Sequence, residues 1–173
     1  MTQVIVEREQ SSILELTVIA PFYNEEDNVR PLYEQIKTVL NELGRTYEIV
    51  FINDGSVDST GEKLAEIAYA DPTVQYLDLL RNYGQTAAMM AGFDQAQGEI
   101  VVSMDGDGQN DPAEIPKLLA ELEKGFDVVS GWRKNRKDKA ISRRLPSKIA
   151  NALISRVTGV KLHDYGCSLK AYR

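Results

Sequence analysis

Short apolar runs recur along the chain from Leu16 onward and alternate with segments of helical periodicity. Each run is rich in β-branched or aromatic residues and short enough for a strand buried on both faces. The predicted strands cover residues 16–20, 47–52, 74–79, 100–104 and 128–131. The predicted helices, where apolar residues recur every three or four positions, cover residues 26–43, 59–70, 85–97 and 113–124.

Strands that alternate with helices predict right-handed crossovers and an α/β fold with a mainly parallel central sheet flanked by helices. Residues 1–14 show no sustained period and are predicted to form an N-terminal lead that is partly disordered. The remaining residues 15–173 are long enough for one domain with a sizeable core. Of the 173 residues, 43% are hydrophobic and 27% charged, as is usual for a globular domain.

Composition excludes several kinds of site and segment. The single cysteine, Cys167, is expected to be structural and cannot form an internal disulfide framework or a cysteine-based metal cluster. The single histidine, His163, cannot build a histidine cluster. Because no run of about 18 apolar residues occurs and no basic n-region precedes an apolar stretch, neither a membrane span nor a signal peptide is expected in this chain.

Charge is distributed unevenly. Residues 1–131 carry 24 acidic and 8 basic side chains, whereas residues 132–173 carry 2 acidic and 12 basic ones. The basic residues between 133 and 148 are dense enough to bind an anion such as phosphate, and a helix with apolar residues at helical spacing is predicted from about Ser142. Two pairs of alternatives stay open. The basic residues form either an anion site or only a solvated basic face. The helix is either membrane-interfacial or an ordinary amphipathic surface helix packed on the sheet.

Polar loops follow four of the predicted strands directly. In a parallel sheet, ligands bind beyond the carboxyl ends of the strands, so these loops are predicted to converge on one rim. Their sequences are Pro21-Phe22-Tyr23-Asn24-Glu25, Asn53-Asp54-Gly55-Ser56, Arg81-Asn82-Tyr83-Gly84 and Asp105-Gly106-Asp107-Gly108-Gln109.

The loop after the fourth strand predicts a divalent metal site. Asp105 and Asp107 stand two residues apart behind an apolar run, and Gln109 offers a further neutral oxygen. Oxygen ligands of this kind suit Mg²⁺ or Mn²⁺. A calcium loop of the EF-hand type is disfavoured because its later glycine and twelfth-position glutamate are misplaced here.

The acids of the first two loops have two interpretations each. Asp54 stands at a strand end, where a carboxylate can accept hydrogen bonds from a base or a ribose, whereas Asp58 is expected to cap the following helix. Glu25 and Glu26 suit either a ligand site or the first turn of a helix, where acids are favoured. The chain has neither a GxGxxG loop after the first strand nor a Gly-Lys-Ser/Thr loop, which disfavours dinucleotide oxidoreductases and P-loop NTPases.

Taken together, the motifs resemble family 2 glycosyltransferases with the GT-A Rossmann-like fold, and the resemblance covers nearly all of residues 15–173. It is carried by Val18-Ile19-Ala20-Pro21-x-Tyr23-Asn24-Glu25, Ile52-Asn53-Asp54-Gly55-Ser56-x-Asp58, Asp105-Gly106-Asp107-x-Gln109-x-Asp111-Pro112 and Gly131-Trp132-Arg133. Three further stretches resemble the branch that acts on polyprenyl phosphate, which includes dolichyl-phosphate mannose synthases and bactoprenol glucosyltransferases. They are Arg81-Asn82-Tyr83-Gly84-Gln85, Ser147-Lys148-Ile149-Ala150-Asn151 and Asp164-x-Gly166-Cys167-Ser168-Leu169-Lys170-Ala171-Tyr172-Arg173.

This resemblance implies a role for each matching residue. It implies that Asp105, Asp107 and Gln109 hold Mg²⁺ or Mn²⁺ against the diphosphate. It also implies that Asp107 and Asp164 are the catalytic carboxylates, with Asp164 acting either as a base or by positioning the substrate. The residues implied to bind donor or acceptor are Pro21, Tyr23, Asn24, Glu25, Asp54, Arg81, Gln85, Asp105, Gly106, Arg133, Lys137, Ser147 and Lys148.

The implied reaction is the inverting transfer of a hexose, with glucose from UDP-glucose as the expected donor, to a polyprenyl phosphate at the cytoplasmic face of the membrane. Two alternatives stay open: the same fold acting on a saccharide acceptor, and a non-catalytic nucleotide-binding or membrane-docking module. Nucleic acid is disfavoured as a partner because the rim loops are acidic and the basic segment lacks interleaved aromatic residues. Oligomeric state stays open, and the sequence is compatible with a homo-oligomer.

The chain departs from the implied family in two ways. Gly106 and Gly108 stand where alanine and leucine are frequent in relatives, although neither change removes a metal ligand. Bacterial relatives of this branch continue past Tyr172-Arg173 into further helices and two membrane spans. The catalytic domain is therefore expected to be truncated before C-terminal membrane helices.

Overall fold

The protein, as a computed structural model, is described over residues 14–131 and 166–173. These residues form one six-stranded sheet with helices on both faces. The strands are β1 (Leu16–Phe22), β2 (Tyr47–Asn53), β3 (Val74–Asp78), β4 (Ile100–Ser103), β5 (Val128–Ser130) and β6 (Lys170–Tyr172). The helices are α1 (Val29–Leu43), α2 (Thr60–Ala70), α3 (Gln85–Gln95) and α4 (Ile115–Leu122), and a 3₁₀ turn over Pro112–Glu114 leads into α4.

The strand order is β3-β2-β1-β4-β6-β5. Strands β1 to β4 are parallel to one another, while β6 runs antiparallel to both of its neighbours, β4 and β5. The α/β fold, the five predicted strands and the four predicted helices in residues 14–131 are confirmed, with ends that shift by a few residues. The sequence did not predict β6, which has only three residues and carries no apolar alternation.

Two hydrophobic clusters lie on opposite faces of the sheet, as the alternation of side chains along β1 requires. Val18, Ala20 and Phe22 point into the larger cluster, which also receives the buried faces of α1, α2 and α4. Ile19 points to the other face, where it packs with Ala88 of α3. The chain is therefore a three-layer structure with β1 at its centre.

Helix α1 shows how local sequence sets an element. Its buried residues recur at three- and four-residue intervals, so one stripe faces the core: Val29, Leu32, Ile36 and Leu40. The helix ends at Gly44, whose φ of 64° is the left-handed conformation that glycine tolerates at a helix C-terminus.

Three details correct the sequence predictions. Val128 of β5 is 52% exposed, so that strand is not buried on both faces, because β5 lies at the edge of the sheet. Helix α1 begins at Val29 rather than residue 26, which places Glu25 and Glu26 in the loop before it instead of in its first turn. Helix α4 begins at Ile115, after the 3₁₀ turn.

Two of the fold predictions lie outside the described residues: the N-terminal lead over residues 1–14, of which only Leu14 is described, and the helix from about Ser142. Within residues 14–131 and 166–173, no helix has the length and apolar character needed to cross a bilayer.

Candidate active site

A cleft of about 270 Å³ opens beyond the carboxyl ends of β1, β2 and β4. It is the place where the topology of a parallel sheet predicts a ligand site. We call it the acidic cleft, and its lining consists of Pro21, Phe22, Tyr23, Glu25, Asp54, Asn82, Gln85, Asp105, Gly106 and Asp107.

Four carboxyl groups and no lysine or arginine line this cleft among the described residues. A diphosphate bound there without a cation would face four carboxylates and no basic side chain of the lining. The negative charges of the diphosphate and the carboxylates would repel each other. Two carboxylates completed by phosphate oxygens are a usual way to bind Mg²⁺, so Asp105 and Asp107 fit a divalent cation that arrives with a phosphorylated ligand. Within residues 14–131 and 166–173, no group of three or more His, Cys, Asp or Glu side chains could hold a metal by itself.

Asp54 fixes the loop that follows β3. It is only 3% exposed, and its two oxygens accept hydrogen bonds from the backbone N–H groups of Tyr83 at 2.8 Å and Gly84 at 2.9 Å. The predicted role of this carboxylate toward a base or ribose therefore competes with a structural one, although a carboxylate oxygen has a second lone pair to offer.

Gly55 allows the second and third loops to touch. Its φ is 66°, and a Cβ added to it would lie 2.2 Å from the backbone carbonyl carbon of Arg81. Only glycine combines this left-handed conformation with so close an approach. Arg81 itself does not line the acidic cleft, and its guanidinium lies 5.0 Å from the ring centroid of Tyr83.

Asn24 joins the first loop to the second. It has a positive φ of 54°, its N–H donates to the Ser56 hydroxyl at 2.9 Å, and its Oδ1 accepts from the Val57 N–H at 2.9 Å. Its side chain therefore holds the two loops together, and it is not among the residues that line the cleft.

Glu26 and Asp58 form a second tie between the same loops. Glu26 accepts from the Ser59 N–H at 3.2 Å, while Asp58 accepts from the N–H groups of Glu26 at 3.4 Å and Thr60 at 3.0 Å. Burial by itself raises the pKa of Asp58, but the hydrogen bonds from Thr60 and Glu26 outweigh it and hold the pKa below its ordinary value. The N-cap of α2 is Ser59, which makes no side-chain cap hydrogen bond, so the predicted capping by Asp58 is not confirmed as such. Asp58 stands one residue before the cap and accepts from the N–H of Thr60, the first residue of the helix.

Asp105 is held from three sides. One oxygen accepts from the side-chain amide of Gln85, the other accepts from the Ser168 hydroxyl, and its N–H donates to Asn110 Oδ1 at 2.8 Å. Gln85 is the first residue of α3 and Ser168 stands just before β6. Two distant parts of the chain therefore hold this carboxylate, and Asn110, five residues further on, holds its backbone.

The rest of the Asp105-Gly106-Asp107 loop is compact. Asp107 Oδ1 accepts from the N–H of Gln109 at 3.0 Å, which closes a small turn, and Gln109 itself is exposed and not among the cleft-lining residues. A Cβ on Gly106 would lie 2.6 Å from the carbonyl oxygen of Pro21, so in this chain glycine allows the loop to pack on the end of β1.

The structure gathers most of the predicted site residues that it describes. Eight line the acidic cleft: Pro21, Tyr23, Glu25, Asp54, Gln85, Asp105, Gly106 and Asp107. Asn24, Arg81 and Gln109 lie beside it without lining it, and five lie outside the described residues: Arg133, Lys137, Ser147, Lys148 and Asp164.

Sequence reasoning missed four contributors. Phe22 and Asn82 line the cleft within loops that were already singled out. Asn110 and Ser168 are not among the residues that line the cleft, but each makes a hydrogen bond with Asp105. Asn110 had a local signal, since it stands five residues after Asp105. Ser168 stands in a stretch that carries the family resemblance, but nothing in the sequence linked it to Asp105, because only the unpredicted β6 brings it to the site.

The comparisons with known proteins agree with this geometry. A sequence profile of Glycosyl transferase family 2 matches residues 17–173. Dodecaprenyl-phosphate galacturonate synthase from Rhizobium johnstonii is 47% identical over 162 residues, which cover 92% of this chain and 48% of that protein. Undecaprenyl-phosphate 4-deoxy-4-formamido-L-arabinose transferase from Pseudomonas fluorescens is 48% identical over 159 residues, covering 91% of this chain and 46% of that protein. The chain thus spans about half the length of the curated relatives it matches.

Solved structures share the fold at low sequence identity. Glucosyl-3-phosphoglycerate synthase from Mycobacterium tuberculosis in complex with UDP superposes with a TM-score of 0.68 at 19% identity, over 92% of this chain and 56% of that chain. The same enzyme in complex with Mn²⁺, UDP-glucose and phosphoglyceric acid also gives a TM-score of 0.68, at 18% identity, again over 92% of this chain and 56% of that one.

Proposed function

Because the chain belongs to Glycosyl transferase family 2 and has the GT-A fold, we propose that it transfers a sugar from a nucleotide-sugar to a polyprenyl phosphate at the acidic cleft. The names of its relatives from Rhizobium johnstonii and Pseudomonas fluorescens support this acceptor class. The observation that carries the proposal is the convergence of four loops on a cleft lined by four carboxyl groups.

The proposed donor site has two halves. Pro21, Tyr23, Glu25 and Asp54, which line the cleft, would seat the nucleoside. Asp105 and Asp107, with Gln109 beside the cleft, would hold Mg²⁺ or Mn²⁺ against the diphosphate. When bound, such a cation offsets the charge that develops on the departing nucleoside diphosphate. Four of the ten residues that line the cleft are acids, and none of the ten is a lysine or arginine, which supports a cation between the cleft and the diphosphate.

The chain's own contribution to the transfer is orientation and charge placement. An acceptor phosphate is already ionised near neutral pH, so it needs little help from a general base. We propose direct displacement at the anomeric carbon with inversion. Asp107, which lines the cleft, would be a catalytic carboxylate. Asp164, which lies outside the described residues, would position the reacting groups.

For the donor, UDP-glucose stays our predicted substrate. The printed names of the relatives supply two competitors, a nucleotide-activated galacturonate and a nucleotide-activated 4-deoxy-4-formamido-L-arabinose. One hydroxyl or carboxyl contact can separate such sugars, and a site built for that contact discriminates by orders of magnitude.

For the acceptor side, we propose that the basic segment binds phosphate and the membrane surface. Ser147 and Lys148 stand in a stretch that resembles the polyprenyl-phosphate branch, Arg133 stands in the family 2 motif, and Lys137 lies between them. The charge of residues 132–173 suits an anionic partner. The reaction would then take place at the cytoplasmic face of a membrane.

A binding experiment tests the donor site. Calorimetry should show that UDP binds this chain in the presence of Mn²⁺ and that removing the metal with EDTA weakens binding by about 100-fold or more. Asp105→Ala should abolish the metal-dependent part, whereas Asp127→Ala, which removes an exposed acid at the start of β5, should not. UDP binding that is indifferent both to EDTA and to Asp105→Ala would contradict the proposal.

A transfer assay tests the reaction. The three nucleotide-sugars named above are each offered with undecaprenyl phosphate in detergent micelles, and with a free oligosaccharide as the alternative acceptor. Sugar should appear on the lipid phosphate, and the preferred donor identifies the sugar. Transfer to the oligosaccharide alone would refute the lipid acceptor while leaving the fold and metal site intact.

A further inference from the structure

Ser168 contributes to the acidic cleft from the far end of the chain. It stands 63 residues after Asp105, and its hydroxyl lies within hydrogen-bond distance of Asp105 Oδ2 and, at 2.9 Å, of Asn110 Oδ1. A hydroxyl has one proton to donate, and a carboxylate is the stronger acceptor, so the proton goes to Asp105. Asn110 Oδ1 in turn accepts from the Asp105 N–H.

The backbone of Ser168 is itself fixed by β4. The hydroxyl of Ser103 donates to the Ser168 carbonyl oxygen at 2.7 Å, and Ser103 pairs with Lys170 across the antiparallel ladder of β4 and β6. The residues on either side, Cys167 and Leu169, are buried in the larger core cluster. Ser168 is therefore presented to Asp105 by a rigid support rather than by a free loop.

The other oxygen of Asp105 accepts from Gln85, so donors from two different elements hold this carboxylate. A carboxylate oxygen has two lone pairs, and an oxygen that accepts a hydrogen bond can therefore also bind a cation. Two opposed donors also fix the plane of the carboxylate. Outer donors of this kind orient metal ligands in many sites, and removing one typically weakens metal binding by about 10- to 100-fold.

Resting on the proposed function, we propose that Ser168 is a positioning residue for the metal-binding carboxylate of Asp105. Strand β6, which enters the sheet between β4 and β5, presents this hydroxyl to the donor site. Ser168 thus acts through Asp105 and does not itself contact the cation.

The test is a Mn²⁺ titration of the full chain in the presence of UDP, followed by electron paramagnetic resonance of the free ion. Ser168→Ala should weaken Mn²⁺ binding by about 10-fold or more. Ser168→Thr retains the hydroxyl and should restore affinity to within about 3-fold, as expected when the hydrogen bond is kept. The matched control is Ser130→Ala, which removes a hydroxyl from neighbouring β5 that donates to the Gly131 carbonyl and should leave Mn²⁺ affinity unchanged.

Thermal melting without metal separates positioning from folding. Ser168→Cys keeps the size of the side chain and replaces a strong donor by a weak one, so it should melt with the parent chain and still bind Mn²⁺ weakly. Parental Mn²⁺ affinity in Ser168→Ala or in Ser168→Cys would overturn the role of Ser168 alone. A parent chain that binds no Mn²⁺ with UDP would overturn the metal site of the proposed function, and this inference with it.

Discussion

Carboxyl groups lie at both the amino and the carboxyl ends of the parallel strands, but their burial and their hydrogen bonding differ. At the amino end, Glu48 is 4% exposed, and its Oε1 accepts from the Thr17 hydroxyl and the Gln97 N–H, both at 2.7 Å. At the carboxyl end, Asp105 and Asp107 line an open cleft. The same chemical group is therefore an internal hydrogen-bond acceptor in one place and part of the proposed donor site in the other.

A second amino-end acid follows the same rule as Glu48. Asp71, just before β3, accepts from Lys37 Nζ at 2.5 Å, from the Tyr33 hydroxyl at 2.8 Å and from the Thr73 N–H at 2.9 Å. Strand direction explains the contrast, because crossover loops leave a crevice at the carboxyl ends of parallel strands. The amino-end acids Glu48 and Asp71 are thus expected to act on stability, and Asp105 and Asp107 on binding.

The largest effect is expected at the carboxyl end, from Gly55→Ala. The added Cβ would overlap the Arg81 backbone, and the loop that Asp54 fixes would have to move. We expect UDP affinity to fall by about 100-fold and the free energy of unfolding to fall by about 3 kcal/mol or more, from left-handed strain and overpacking together. Calorimetry and urea unfolding measure the two quantities.

Gly44→Ala is the matched control for that change. Gly44 has nearly the same φ, 64° against 66°, but nothing lies within 4 Å of an added Cβ. It should cost only the backbone strain, about 1–2 kcal/mol, and leave UDP affinity unchanged. Equal losses of UDP affinity in both variants would show that the contact between the two rim loops is irrelevant to binding.

An intermediate effect, confined to stability, is expected from Glu48→Ala at the amino end. The change leaves the Thr17 hydroxyl and the Gln97 N–H without their acceptor in a buried place, which costs about 2–3 kcal/mol in the free energy of unfolding. Urea unfolding measures it, and Mn²⁺-dependent UDP affinity should stay within about 2-fold because additivity holds between distant sites. A loss of UDP affinity in Glu48→Ala without a loss of stability would contradict the expectation that amino-end acids act on stability and not on binding.

The smallest effect is a pH dependence at Asp71. Burial by itself raises the pKa of this carboxyl, but the hydrogen bonds from Lys37, Thr73 and Tyr33 outweigh it and hold the pKa well below its ordinary value of 3.8. A carboxyl whose pKa is lowered by folding stabilises the folded state above its unfolded pKa and loses that contribution as the pH falls. The contribution is therefore complete near neutral pH and declines below about pH 4.

Asp71→Asn should lower the free energy of unfolding by about 2 kcal/mol at pH 7 and by less at pH 3, measured by urea unfolding at both values. Glu66→Gln is the control, since Glu66 pairs with Arg30 at 3.8 Å on the surface and should contribute under about 0.5 kcal/mol. A loss in Asp71→Asn that is the same at both pH values would contradict this explanation.

Sequence patterns predicted the strands and helices well wherever an element is marked by its own local periodicity. The strands of the parallel half are apolar because they are buried, and the stripe of α1 repeats at helical spacing, so periodicity was sufficient. Strand β6 escaped prediction because its place depends on pairing with β4, more than 60 residues away. Long-range pairing leaves no periodic trace in three residues.

The residues of the candidate site likewise divide into those that the sequence predicted and those that it did not. Asp54, Asp105 and Asp107 were predictable because strand ends can be located from sequence, and the rule for parallel sheets then places them together. The cross-loop roles of Asn24 and Ser168 were not predictable, since each depends on which loop packs against which. Sequence therefore predicted the residues that line the acidic cleft better than those that hold the lining in place.

The junction between β5 and β6 has a consequence for how such proteins diversify. The N–H of Gly131 donates to the Leu169 carbonyl at 2.8 Å, so the chain leaves the sheet after β5 and re-enters it before β6 at neighbouring points. The sheet, and not the residues that join them, sets the positions of these two points. A change in the length of the chain between them can therefore leave the pairing of β5 with β6 in place.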